Sequence, residues 1–143
     1  MKIGELAQAA QCTVETVRYY EKERLLFKPD RNGNNYRLYG TKHLERLQLI
    51  RNCRALDMSL KEIHALVNFI DHPSTDCTSV NLLLDEHIIH VNIRLQELTD
   101  LKTQLVKLRK KCRNKQKNKE CGILHELSVK QFQTKKTSST HLG

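Results

Sequence analysis

Apolar residues recur at helical steps of three and four through most of this chain, and the breaks between those runs divide it into elements. Ile3, Leu6, Ala7 and Ala10 form the first run, a short amphipathic helix. The chain then turns through Gln11-Cys12, and Thr13 is placed to cap a second helix reading TVETVRYYEKERLL. Pro29 closes that region. RNGNNYRLY follows as a β-hairpin, with Asn32-Gly33 supplying turn residues that tolerate positive φ. Thr41 is expected to cap a third helix, TKHLERLQLIRNCRAL, with Leu44, Leu47, Ile50 and Leu56 inward and Cys53 packed beside them. Ser59 and Glu62 make a capping box for a fourth helix, SLKEIHALVNFI, with His64 at its surface or core edge. Asp71-His72-Pro73 ends it, and a short polar linker leads to Cys77.

The longest pattern follows. Leu84, Ile88, Val91, Leu95, Leu98, Leu101, Leu105 and Leu108 form a heptad seam with one short step near Leu98, and the next seam position is Cys112. The segment has no Gly or Pro, so it cannot fold back on itself. A homodimeric coiled coil is the economical way to bury such a stripe. If residues 78–112 are helical, Cys77 and Cys112 of one chain stand roughly 50 Å apart at 1.5 Å per residue. In an antiparallel pair the partner's Cys77 would reach Cys112 and Cys121, giving one site at each end. The expected architecture is mainly α: a winged helix-turn-helix head at 1–70, a linker at 71–77 and an antiparallel dimerisation helix at 78–111. A loop and short helix at 112–128 and a flexible polar tail at 129–143 complete it.

Composition alters this picture at a few points. With 38% hydrophobic residues, no Trp and 143 residues in all, a large single core is not expected. No apolar run is long enough for a membrane span and no secretory signal is visible, so the chain reads as soluble and cytoplasmic. Five cysteines suggest no disulfide framework, and in a reducing compartment they stay available for metal or redox work. Two of them, Cys53 included, read as small buried hydrophobes. The net charge of +9 is uneven: residues 1–58 carry +4, 59–100 carry −5 and 101–143 carry +10. The strongest positive field therefore surrounds Cys112 rather than the head.

Cys77, Cys112 and Cys121 read as a three-thiolate site, a donor set selective for soft or borderline cations. Lys110, Lys111, Arg113, Lys115, Lys117 and Lys119 would lower the Cys112 thiol pKa and balance the complex's negative charge. The helix GILHELSV is expected to fold apolar side chains over the loop. On its own, a lysine-rich loop is more often just a solvated turn; the two flanking cysteines favour the site. Asn81, Glu86, His87 and His90 suggest a second metal site, although surface histidines on a charged helix are commoner. In the head, Thr16, Arg18 and Tyr19 on the second helix would face the major groove. Arg31, Tyr36, Arg37 and Tyr39 would make the hairpin a wing gripping the phosphate backbone, while Val17, Tyr20 and Leu25 pack the interior.

IGELA, VRYYE, NYRLY and a long helix ending in Cys112-x8-Cys121 closely resemble the MerR family of metal-responsive transcription regulators, over nearly the whole chain to about Leu127. IRNCRALDMSLKEI, VNLLLDEHI and CGIL look like its cadmium/lead-responsive (CadR/PbrR-like) branch. The resemblance implies a homodimer on a palindromic promoter. With metal, Cd(II) or Pb(II) first and Hg(II) or Zn(II) as alternatives, it would bend and untwist the DNA to realign elements for RNA polymerase. Copper-group sensors carry Ser at the position of Cys77, and zinc-sensing relatives show a paired Cys-Cys with a loop His; here Arg113 follows Cys112. The His-rich tail of some cadmium regulators is reduced to His141. Two other readings use the same residues: a thiol redox regulator, and an architectural DNA binder dimerised by its coil. No nucleophile–base pair, phosphate loop or paired acids suggest an enzyme.

Overall fold

The computed structural model describes residues 1–34, 36–73, 76–112 and 121–132. Its elements are α1 (Ile3–Ala9), α2 (Val14–Lys22), β1 (Asp30–Arg31), β2 (Arg37–Leu38), α3 (Thr41–Ala55), α4 (Leu60–Asp71), α5 (Thr78–Arg109) and α6 (Gly122–Val129). The chain divides into two compact units, Met1–Leu83 and Leu84–Gly143. None of the helices is long and apolar enough to cross a membrane, among the described residues.

The core of the first unit gathers one stripe from each short helix. Leu6, Ala7 and Ala10 meet Val17, Tyr20, Leu25 and Leu26, with Leu47, Ile50, Cys53, Met58, Ile63 and Val67 closing the other side. Three of its turns share one device. Gln11, Arg24 and Asp57 adopt positive φ (56°, 60° and 60°) just beyond α1, α2 and α3. At each, the next N–H reaches back to the carbonyl five residues earlier: Cys12 to Ala7 (2.9 Å), Leu25 to Tyr20 (3.0 Å) and Met58 to Cys53 (3.0 Å). These are Schellman closures, and each carries its accompanying apolar contact inward.

That device explains where the helix ends differ from expectation. α2 stops at Lys22 because Arg24 turns the chain, which drops Leu25 and Leu26 into the core from outside the helix. Leu56, expected inward, is 62% exposed; it is the C-cap of α3, and the turn at Asp57 delivers Met58 to the core instead. Thr41 is the first residue of α3 and not its cap. The cap is Gly40, whose N–H donates to Nδ1 of His43 at 2.9 Å. His43 is fully buried, and its Nε2–H faces the Lys28 carbonyl at 3.1 Å. The Ser59–Glu62 capping box is present, with reciprocal hydrogen bonds of 3.1 and 3.0 Å.

The hairpin pairs Asp30 with Leu38 and Arg31 with Arg37, antiparallel. Its turn works differently from the expectation, since neither Asn32 nor Gly33 lies at positive φ. Instead the Asn32 Oδ1 accepts the N–H groups of Asn34 and Tyr36, each at 3.0 Å, so a side chain closes the loop.

α5 is one unbroken helix of 32 residues, roughly 48 Å long. Ile88, Leu95, Leu98, Leu101 and Leu105 of the expected seam are each about half exposed in the single chain. An apolar stripe of that length is a surface for another protein chain.

Candidate nucleic-acid interface and metal centre

The head presents its polar residues on two neighbouring elements. On α2, Val17 and Tyr20 face the core, which leaves Arg18 and Tyr19 exposed on the opposite face. The Thr13 hydroxyl accepts the Thr16 N–H at 3.1 Å and lies 2.9 Å from the Thr16 hydroxyl, so half-buried Thr16 helps fix the helix start. At the turn between α1 and α2 the Arg51 guanidinium donates to the Ala10 carbonyl, tying α3 to that turn across 41 residues of sequence. On the wing, Arg31, Tyr36 and Arg37 are exposed.

Tyr39 departs from the expected wing set. It is 2% exposed, and its hydroxyl donates to the Glu21 carboxylate on α2. Burial pushes its pKa up to about 12, reinforced by the hydrogen bond to Glu21 and that residue's charge. Its main chain pairs with residue 1: the Met1 ammonium donates to the Tyr39 carbonyl at 2.7 Å and the Tyr39 N–H donates to the Met1 carbonyl at 2.8 Å. Tyr39 is thus a core residue at the base of the wing and not a phosphate-facing one. Sequence reading also passed over Arg46, which is buried, stacks 4.4 Å over the Phe27 ring and pairs with Asp71 at 2.7 Å. The signal available for His43 was the Gly40-x-x-His43 spacing, which has the register of a capping box.

The three candidate thiols occupy the ends of helices. Cys77 is exposed and precedes α5: its carbonyl accepts the Asn81 N–H at 2.9 Å, and the Asp76 carboxylate accepts the Thr78 N–H at 3.0 Å. Cys112 follows α5, held in a turn by the Arg109 guanidinium, which donates to the Cys112 carbonyl at 2.9 Å. Cys121 is the N-cap of α6. Its pKa is lowered, chiefly by the nearby Leu124 backbone N–H, with further help from the Ile123 N–H and the Cys112 thiol. Gly122 lies directly against Lys111, so the neighbouring residues Cys121 and Cys112 are close within one chain.

These groups fit a soft cation, since two nearby cysteines, one thiol biased toward thiolate, are the donors such an ion selects. Residues 113–120, with Arg113, Lys115, Lys117 and Lys119, lie outside the described residues, as does the tail from 133 with His141. α6 buries none of its own residues; Leu124, Leu127 and Val129 are about half exposed or more, so within one chain they are not closed over by other described residues. Cys53 is buried and its thiol is pushed up by burial, in keeping with a packing role. Of the second candidate site, His87 and His90 pack edge to face with centroids 6.3 Å apart, while Asn81 and Glu86 are exposed.

Residues 1–69 match the family described as "MerR HTH family regulatory protein", and residues 44–108 match that described as "MerR, DNA binding". The HTH-type transcriptional regulator ZntR homolog of Haemophilus influenzae is 47% identical over 111 residues, covering 78% of this chain and 82% of that one. The crystal structure of the regulator PbrR691 from Ralstonia metallidurans CH34 in complex with lead(II) is 48% identical with a TM-score of 0.81, covering 89% of this chain and 98% of the other. The regulator MerR from Bacillus megaterium MB1 in complex with mercury(II) is 26% identical with a TM-score of 0.73, covering 90% and 99%. Likeness of this extent places the chain in the MerR family, as a metal-responsive, DNA-binding transcription regulator and not an enzyme.

Proposed function

We propose that this regulator responds to Cd(II) or Pb(II), binding promoter DNA as an antiparallel homodimer and activating heavy-metal resistance genes when metal joins its two subunits. In this reading residues 1–70 hold the DNA, 78–111 dimerise, and 112–128 carry Cys112 and Cys121 to meet the partner's Cys77. The observation that carries it is the closeness of Cys112 and Cys121, set by Gly122 lying against Lys111, with the Cys121 thiol lowered by nearby α6 N–H groups. The resemblance to PbrR691 at 48% identity, a protein crystallised with lead(II), favours the cadmium/lead branch over the mercury relative at 26%.

Bound metal supplies the cross-link. The chain's own residues do the rest: Arg18 and Tyr19 on α2 face the groove, and Arg31, Tyr36 and Arg37 grip the backbone. The α5 seam transmits a change at its ends to both heads. Metal switches the dimer to the extent that it binds the DNA-distorting conformer more tightly, and that conformer presents the promoter to RNA polymerase.

Titrating the reduced protein with Cd(II) tests the reading. Thiolate-to-metal charge-transfer absorption is expected to saturate at about one metal per subunit. Cys77→Ser, Cys112→Ser and Cys121→Ser each weaken it about tenfold or more, and Cys53→Ser leaves it unchanged. Undiminished binding by the triple variant would sink the three-thiol site. The closeness of Cys112 and Cys121 also suits a redox regulator, which would instead form a disulfide that alters transcription while metal does nothing.

A further inference from the structure

One side chain of α3 holds both ends of the wing. The imidazole of His43 reaches Gly40, two residues past β2, and Lys28, two residues before β1. The Gly40 N–H donates to Nδ1 at 2.9 Å, and Nε2–H donates to the Lys28 carbonyl at 3.1 Å. A carbonyl can only accept, so Nε2 carries the proton and Nδ1 is left as the acceptor that Gly40 needs. The ring is fully buried, with the Phe27 and Tyr39 rings edge-on to it at centroid distances of 5.9 and 5.2 Å.

The wing cannot fix its own position. Each strand is two residues long, too short to be stable by itself. Arg31 pairs directly across from Arg37, so two exposed cations leave one face of the hairpin, and like charges placed opposite weaken it further. The same pair suits a phosphate, provided that the hairpin stands at a set distance from Arg18 on α2. Two hydrogen bonds to a buried, immobile ring supply that constraint before DNA arrives, which lowers the ordering cost of binding.

We propose that His43 is a positioning residue for DNA recognition: one imidazole ties both ends of the wing to α3 and so sets where Arg31 and Arg37 stand. The inference rests on the reading of those arginines as backbone contacts and adds what holds them in place.

The test measures binding of the full-length protein to a fluorescein-labelled duplex, selected from a random library by the wild type, across a range of salt concentrations. His43→Phe keeps a ring and removes both bonds. It is expected to weaken binding about fivefold or more and to make the slope of log affinity against log salt shallower by about one, in the direction of the Arg31→Ala/Arg37→Ala double variant. His43→Asn keeps an acceptor for Gly40 and His43→Gln a donor for Lys28, so each recovers part of both effects. In the double-arginine background His43→Phe adds no further loss, because it acts through those contacts. A merely structural role would lower the folded fraction and leave the salt slope intact; that outcome, wild-type binding by His43→Phe, or losses that add in full overturns the role of His43. Should His43→Phe fail to fold, the Asn and Gln variants decide: slopes between wild type and the double variant support the bridge, and wild-type slopes in both overturn it. Unaltered binding by the double variant overturns instead the wing contact on which the role rests, so the two failures are distinguishable.

Discussion

A methyl group on Gly122 would stand 2.5 Å from the Lys111 carbonyl oxygen and 3.2 Å from the Lys111 Cβ. The start of α6 is therefore seated directly on the main chain leaving α5, and this seating sets Cys121 beside Cys112, the residue after Lys111. Gly122→Ala forces the two segments apart because backbone, not a flexible side-chain end, is the obstacle. Cd(II) affinity is expected to fall about tenfold or more, about 1.4 kcal/mol, with the melting of the head unchanged. Charge-transfer titration beside a thermal melt checks both.

The thiols differ in environment, and alkylation reads the difference. Cys121 is lowered by the N–H groups of its own helix, whereas Cys12 and Cys53 are raised by burial. At neutral pH Cys121 holds more thiolate, so iodoacetamide followed by mass spectrometry should label it well before Cys12 or Cys53. As pH rises the rates converge, because the raised thiols ionise later. Equal rates for the three at pH 7 would contradict this assignment.

Arg18 sits exposed on the face of α2 opposite Val17 and Tyr20. Arg18→Ala should cost on the order of 1–3 kcal/mol in operator affinity without lowering stability, since no core contact is lost. Fluorescence anisotropy with the selected duplex measures it, and undiminished affinity would remove α2 as the reading helix.

Tyr39 gives the head an alkaline limit. Its folded pKa of about 12 lies above the ordinary 10.0, so the fold favours the neutral phenol. That stabilisation is fully present below pH 10 and is lost as pH rises from about 10 to about 12. The stability difference between wild type and Tyr39→Phe should close over the same interval in denaturant titrations. Absorbance at the tyrosinate band should show one of the four tyrosines ionising last, and should lose that step in the variant.

Arg24 ends α2 at φ 60° with a side chain that such backbone disfavours. Arg24→Gly removes the Cβ conflict while keeping the Leu25-to-Tyr20 hydrogen bond, and should stabilise the head by about 0.5–1 kcal/mol. A lower denaturation midpoint would show that the arginine side chain contributes more than its backbone costs.

Much of this protein is legible in its order of residues because the signals are local. The periodicity of Ile3 to Ala10, the Ser59–Glu62 box and the heptad steps from Leu84 to Leu108 each act within one or two turns of helix. The interruption-free stretch before Cys112 likewise dictates one long helix. The candidate thiols are picked out in the same local way, as cysteines on both sides of a lysine-rich stretch. What the sequence could not decide lies where residues distant along the chain compete for one place. Leu56 has the right spacing to be core, yet the turn at Asp57 sends Met58 there. Tyr36 and Tyr39 look alike on paper, but only packing turns one to solvent and the other to Glu21, 18 residues earlier. Cys112 and Cys121 lie near each other because Gly122 admits Lys111's carbonyl. Periodicity carries no term for a contact between two separate segments, and these choices were made by tertiary structure.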